Sequence, residues 1–276
     1  MWFNGALKRN NLFPRIGIGR RRRLRQATLI IVCQLTLVVV LLALWEWRTS
    51  SDELLKFLFG SPSAIWGFLV KMWQDGSLFR DTYVTGLETL LGFILGNCIG
   101  TVFGLGLWYS RFLSLVMQPF IIAVGSIPII ALAPIVIIWF GTGIASKVAM
   151  ATLSVVVVAF LTSYKGAASV DQDQINLLRS LHATKHQMFR KLVVPASLTD
   201  IFAGLKMTVG FALIGAIIGE FMSSSEGLGH AIFRAGSLYI IPKVFAALVA
   251  TIVLALVLSY VVGKLERLLL PWRQDL

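Results

Sequence analysis

Six stretches of the chain are apolar over close to the roughly 20 residues that a helix needs to cross a bilayer. They run over 27–47, 85–109, 117–140, 144–163, 204–222 and 244–263. The first carries no charge from Ala27 to Leu44 and ends in Trp45 and Trp47, a pair suited to the membrane–water interface. It does not read as a cleaved leader. The 26 residues before it are long for an n-region, and Ala43-Leu44-Trp45 offers no small-x-small cleavage site. The pattern therefore predicts an all-α integral membrane protein with a basic tail over 1–26 and a six-helix domain over 27–263. Its longest inner loop is 164–203, and a second tail covers 264–276.

Composition agrees. The 276 residues are 57% hydrophobic and 14% charged, against about 25% charged in an ordinary soluble domain. That is too little charge to coat a soluble globule, which excludes a water-soluble enzyme. The net charge of +12 would suit nucleic acid, yet its distribution points elsewhere. With the N-terminus placed in the cytoplasm, 17 of the 25 Lys and Arg fall on that side, seven on the other, and Lys206 sits at a span mouth. This is the positive-inside bias, and it puts both termini in the cytoplasm. Nothing is left that calls for nucleic acid. Arg20–Arg23 and Arg25 lie just before the first span, where they anchor topology beside anionic lipid. Cys33 and Cys98 both fall within spans and read as small buried side chains without disulfide or metal spacing.

Inside the spans, Gly92, Gly96, Gly100 and Gly104 recur every four residues. At helical pitch they make a flat stripe that admits a neighbouring backbone, and Gly215 and Gly219 form a shorter version. Plain packing is the favoured role, with a gating contact as the alternative. Pro119, Pro128 and Pro134 interrupt the third span, and each removes an amide donor. The break at Ser126-Ile127-Pro128 should face a cavity or a helix interface. Two readings stand level there, a translocation path and a kink without a substrate role. Ionisable groups near the spans are Glu88, Lys147, Lys206 and Glu220. Their places near span ends predict solvated or snorkelling side chains, with Glu88 and Glu220 as candidates for the path. No acidic group stands at mid-depth, which argues against a proton-coupled carrier. No catalytic constellation is found. His182 and His186 lack the further ligands that a metal requires. There is no G-x-x-x-x-G-K-[ST], so any ATP hydrolysis belongs to another chain.

The loop 164–203 is unlike a passive connector. Asp171 with Gln174 and Thr184 with Gln187 read as capping boxes, predicting short helices over 172–182 and 185–194, and Pro195 either closes the second or starts the next element. The first presents Leu177, Leu178 and Leu181, and the second Met188, Phe189 and Leu192, followed by Val194. Apolar side chains on short, water-facing helices need cover. A soluble subunit docking by helix-in-groove contact provides it, and packing against the loop's own helix ends is the alternative.

The spacing Asn176-Leu177-Leu178, three residues, His182, nine residues, Leu192-x-Val194-Pro195 resembles the "EAA---G---------I-LP" loop of ABC-importer permeases. Ser126–Pro134, Trp139-Phe140-Gly141, Ser146-Lys147, Ile201–Leu205, Gly219-Glu220-Phe221 and Gly227-Leu228-Gly229 resemble the nitrate/sulfonate/taurine type of that family. The likeness covers all but the first 60 or so residues. It implies a type I permease fold in the bacterial inner membrane, paired with a second copy. Two ATPase subunits, which hold ATP and Mg, and an external solute-binding protein would complete the assembly. No cofactor would sit in this chain. Residues 172–192 would then be the coupling helix seated in the ATPase cleft. The resemblance leaves the solute open among nitrate, sulfonate, taurine, bicarbonate and a heterocyclic vitamin precursor.

Two features of the loop and one of the second span depart from the family pattern. The family's Glu, Ala, Ala are Asn176, Leu177 and Leu178 here, and its Gly is His182. That Gly suits a left-handed turn, which His adopts at roughly 1–2 kcal/mol; either this loop turns differently, or its ATPase has a matching surface. Glu88 stands where sulfonate and taurine members usually carry Arg, which disfavours a small anion and favours a heterocycle. A secondary carrier or channel without an ATPase is the competing reading, and a membrane enzyme ranks third.

Overall fold

The structure, a computed structural model, describes residues 18–269, with side chains from residue 29 onward. Most of the basic tail expected over 1–26, including the Arg20–Arg25 side chains, and residues 270–276 lie outside the described residues. The chain divides into two units, 1–57 and 58–276. In the first, α1 (Ile18–Ser50) is one continuous helix, of which Leu29–Ser50 is long and apolar enough to cross a membrane. The short α2 (Glu53–Phe59) runs across the division.

The second unit opens with α3 (Pro62–Gln74), started by Ser61, whose hydroxyl accepts from the Ala64 amide at 3.3 Å, and by Pro62 in the first turn. It continues with α4 (Ser77–Gly106), α5 (Arg111–Gly125), α6 (Ile129–Phe140) and α7 (Ile144–Ala168). After the loop helices α8 (Gln172–Ser180) and α9 (Lys185–Met188) come α10 (Val194–Ser223), α11 (Leu228–Ser237) and α12 (Ile241–Leu269). Among the described residues, five helices or continuous helical runs are long and apolar enough to span a membrane, and up to seven spans result if each of two bent helix pairs counts as one.

α7 forms the centre, packed between α4 and α10. The glycine stripe explains how closely. A Cβ on Gly96 would lie 2.6 Å from Val155 Cβ, and one on Gly100 would lie 2.8 Å from the Phe160 amide nitrogen. On the other side, a Cβ on Gly215 would lie 2.7 Å from Ala151 Cα, and one on Gly219 would lie 3.1 Å from Lys147 Cα. So α7 runs between two glycine faces at backbone contact, where dispersion and interhelical polar contacts do the holding. Asn97 and Thr208 join α4 to α10 by a 3.1 Å hydrogen bond, and Lys206 on α10 pairs with Glu266 on α12. Cys33 and Cys98 are exposed, which corrects the expectation of buried side chains. Cys98 lies two residues from both Gly96 and Gly100, off the face that packs on α7.

The third apolar stretch is not one helix. α5 and α6 meet at 91° around Ser126-Ile127-Pro128. Pro128 is extended, at φ −61° and ψ 116°, while Pro119 and Pro134 sit inside α5 and α6 without breaking them. The restriction that Pro128 places on Ile127, two residues after Gly125, fixes the bend there. The loop also differs from its expected form. The first helix ends at Ser180, and Asp171 caps it through the Asp173 amide at 2.9 Å. The second helix does not end at Pro195, which stands in the first turn of the next element, the other role expected for it. It passes through a π turn (Phe189–Val193) straight into α10, and the wider turn accommodates a residue with no amide to donate.

Candidate functional site

Two groups of residues at the two ends of α4 carry the chemistry. At its first half, Glu88, Lys147 and Glu220 are buried, at 2%, 2% and 0% exposure. This corrects the solvated or snorkelling positions expected from their places near span ends. The reason lies in the turn after α10. Residues 224–227 and α11 fold back over the end of α10 and cover it.

The covered end is stitched by charge-assisted hydrogen bonds. Thr85 Oγ1 donates to Glu220 Oε1 at 2.6 Å, and the Gly229 amide donates to Glu220 Oε2 at 2.5 Å. The Leu228 amide donates to Thr85 Oγ1 at 2.8 Å, and the Gly227 amide to Asp81 Oδ1 at 3.2 Å. Three consecutive amides at the start of α11 thus find acceptors supplied by α4 and α10, in the place where a helix leaves donors unpaired and favours negative charge. Gly227, at φ +107°, holds a backbone that side-chain-bearing residues avoid. A Cβ on Gly229 would come within 2.6 Å of Glu220 Oε2. These two glycines are what let the carboxylate reach the amides.

Lys147 supplies the positive charge among these residues. Its Nζ donates to the carbonyls of Thr142 and Ser223, the latter at 2.6 Å. Glu88 neighbours Glu220, and one of its oxygens, Oε2, has no hydrogen-bond partner among the described residues. At the rim, Arg80 stands 3.6 Å from both Asp81 and Glu226. Sequence reasoning missed Asp81, Thr85 and Glu226. The remaining path candidates, Ser126 and Pro128, are exposed at the α5–α6 bend and belong to a separate region of the fold.

At the far end of α4 stands the loop. Thr184 and Gln187 form the expected capping box. His182 has φ +59°, so the loop keeps the left-handed turn at this position and does not turn differently. Leu177 and Leu181 are 61% and 68% exposed, and Asn176 and Pro195 are exposed. Leu178, Phe189, Leu192 and Val194 are half-buried, and Met188 is buried. The apolar loop residues therefore divide. The α8 side leaves leucines in the open, whereas Met188 turns inward and is not available to a partner. Phe189 lies 4.6 Å from Tyr109 and 5.7 Å from Trp108, ring centre to ring centre. Lys185 Nζ donates to the Tyr109 carbonyl at 2.5 Å, and Tyr109 Oη lies 3.3 Å from His186 Nδ1. The loop is thereby tied to the end of α4 by an aromatic and polar clasp that the sequence did not announce.

Comparison with known proteins places this architecture. Residues 96–271 match the family model described as binding-protein-dependent transport system inner membrane component. The formylaminopyrimidine transport permease of Halalkalibacterium halodurans is 34% identical over 184 residues, covering 67% of this chain and 74% of that protein. The taurine transport system permease of Escherichia coli is 25% identical over 244 residues, covering 86% and 88%. Among solved structures, an inward-facing MetNI methionine ABC transporter chain superposes with a TM-score of 0.63 at 18% identity, over 71% of this chain and 96% of that one.

Proposed function

This chain belongs to the binding-protein-dependent transport system inner membrane components, so it is a multi-pass permease subunit of a bacterial ABC importer and not itself an ATPase; on that premise we propose how its two ends divide the work. Two copies form the pore, with six spans each and all termini in the cytoplasm. The α8 surface around Leu177, Leu178 and Leu181 seats in a cleft of a cytoplasmic ATPase subunit, and an external binding protein delivers solute on the opposite side. Closure of the ATPases on ATP draws the two loops together and turns the central cavity outward, and hydrolysis resets the inward-facing state. A ligand can shift such a two-state element only through differential contacts, and the exposed leucines are where those contacts would form.

The observation that carries the reading is the pairing of an exposed apolar helix with a rigid connection to a spanning helix. Leu177 and Leu181 stand open to a partner, while Phe189, Lys185 and His186 fix the same loop to Trp108 and Tyr109 at the end of α4. A force applied at α8 has a packed route into α4. For the solute, a heterocyclic vitamin precursor is the reading we favour over nitrate, sulfonate, taurine or bicarbonate. Its support is the greater identity to the formylaminopyrimidine carrier than to the taurine carrier, 34% against 25%, together with a buried carboxylate at Glu88.

Co-expression with candidate ATPase and binding-protein subunits, followed by purification through a tag on this chain, tests the assignment. We expect ATPase subunits in one-to-one ratio with the permease. Uptake driven by an ion gradient in vesicles that contain this chain alone would overturn it in favour of a secondary carrier.

A further inference from the structure

Irregular backbone inside a bilayer is not left facing lipid, where nothing pairs its freed amides and carbonyls; it is covered by protein or lines water. The α5–α6 bend is such a place, and it lies deep. α5 runs 15 residues from the end of α4, about 22 Å at 1.5 Å per residue. At its last residue, a Cβ on Gly125 would lie 3.1 Å from Val157 Cγ1, and Val157 is one residue past the middle of α7. The 91° bend therefore stands at mid-depth. Among the described residues, no backbone amide bonds to the carbonyls of Gly125, Ser126 or Ile127. Residues 122–128 are all exposed, so this chain does not supply the cover.

The opening continues along α5 as a stripe. Arg111, Leu115, Gln118, Ile122 and Ser126 follow one another at intervals of four or three residues, which keeps them on one face of a helix. All five are exposed. Arg111, Gln118 and Ser126 are polar, and Pro119 leaves the Leu115 carbonyl without its helical donor. Across the bend, Pro134 does the same to the carbonyl of Ile130, which is also exposed. The opposite face of α5, with Phe112, Val116 and Phe120, is wholly apolar. One side of α5 thus suits hydrocarbon or a neighbouring helix, and the other suits water. Polar side chains within a span mark paths of this kind.

We propose that the Arg111–Ser126 stripe and the α5–α6 bend line a water-filled passage for solute, which a second copy of this chain shields from lipid. The proposal rests on the permease reading and names the part of the chain that the solute passes. Water pairs with the freed carbonyls and the Gln118 amide there, and Arg111 stands at the mouth beside the coupling loop.

The test uses the assembled transporter in inside-out membrane vesicles, where an impermeant reagent reaches only the cytoplasmic face. Cys33 and Cys98 are replaced by Ala, because both are exposed, and single cysteines are then introduced. Gln118→Cys, Ile122→Cys and Ser126→Cys probe the stripe, and Val116→Cys and Phe120→Cys probe the opposite face, where the native side chains are also exposed. The probe is a sulfonate-bearing methanethiosulfonate, which needs the thiolate and hence water at the thiol. The stripe cysteines should label several-fold faster than those at 116 and 120. ATP with vanadate, which holds the ATPases closed, should slow stripe labelling several-fold. Three stripe positions keep the test decisive if one variant does not assemble. Stripe labelling no faster than at 116 and 120, or indifferent to ATP with vanadate, would overturn the passage. ATPase content is measured on the same vesicles after extraction. Retained ATPase with an unlabelled stripe removes the passage alone, whereas a permease that purifies without ATPase counts against the permease reading itself.

Discussion

At the Asp81–Glu88 end of α4, charges are buried and held by hydrogen bonds from several helices. At the Trp108–Tyr109 end, roughly 30 Å away at 1.5 Å per residue, aromatic rings hold a short loop whose leucines face outward. The first arrangement resists change, because moving any one group leaves another buried and unpaired. The second leaves apolar surface on offer and depends on a partner to cover it. The contrast fits a protein that must keep one end of its helix bundle sealed while the other is pushed.

The comparison can be broken most forcefully at Glu220. Glu220→Ala strips Thr85 and the Gly229 amide of their acceptor and leaves Lys147 with fewer counter-charges, so we expect a loss of about 3–5 kcal/mol. Thermal unfolding of the purified permease would read this as a large drop in Tm or as failure to accumulate. A Tm near that of the unaltered protein would show that the covered end does not hold the fold.

The opposite end should give the opposite pattern. Leu178→Asp with Leu181→Asp is expected to abolish transport and detach the ATPase, while Tm moves little, because Leu181 is mostly exposed. Unchanged transport would remove the docking role of α8. Between the two, Phe189→Ala loosens the clasp to Trp108 and Tyr109. Aromatic pairs contribute about 0.5–1.5 kcal/mol each, so a modest loss of stability should accompany retained ATPase binding and slowed uptake. Full uptake would mean that motion reaches α4 by another route.

Two smaller effects sharpen the picture. His182→Gly should relieve about 1 kcal/mol of left-handed strain and preserve ATPase assembly. Loss of the complex on that change would assign His182 a direct contact with the ATPase. Lys206→Ala removes the ion pair with Glu266 where the lysine side chain is 49% exposed. Its cost should stay within about 1 kcal/mol, and a larger fall in Tm would place that pair among the supports of the bundle.

How much of this could be read from the chain depends on where the partners lie. The glycine stripe and the Thr184 box are local patterns, with their geometry set within one or two helical turns, and so they were legible. The left-handed turn at 182 was one of two alternatives that the loop motif left open. Burial of Glu88 and Glu220 was not. It depends on the Gly227–Gly229 backbone arriving from 146 residues beyond Asp81, and proximity to a span end looked like exposure. The inward turn of Met188 depends likewise on tertiary packing, and α2, α3 and α11 are too short to announce themselves as spans. Pro195 left two roles open, and the π turn before it decides for the start of α10.

The central claim is that α8 meets the ATPase while the Glu220 region holds the bundle together. It is tested most directly by the ATPase-to-permease ratio of tagged complexes carrying Leu178→Asp and Leu181→Asp beside complexes carrying Glu220→Gln, each normalised to folded permease. The prediction is a ratio near zero for the loop variant and near one for whatever Glu220→Gln permease remains folded. A loop variant that keeps its full complement of ATPase would contradict the claim.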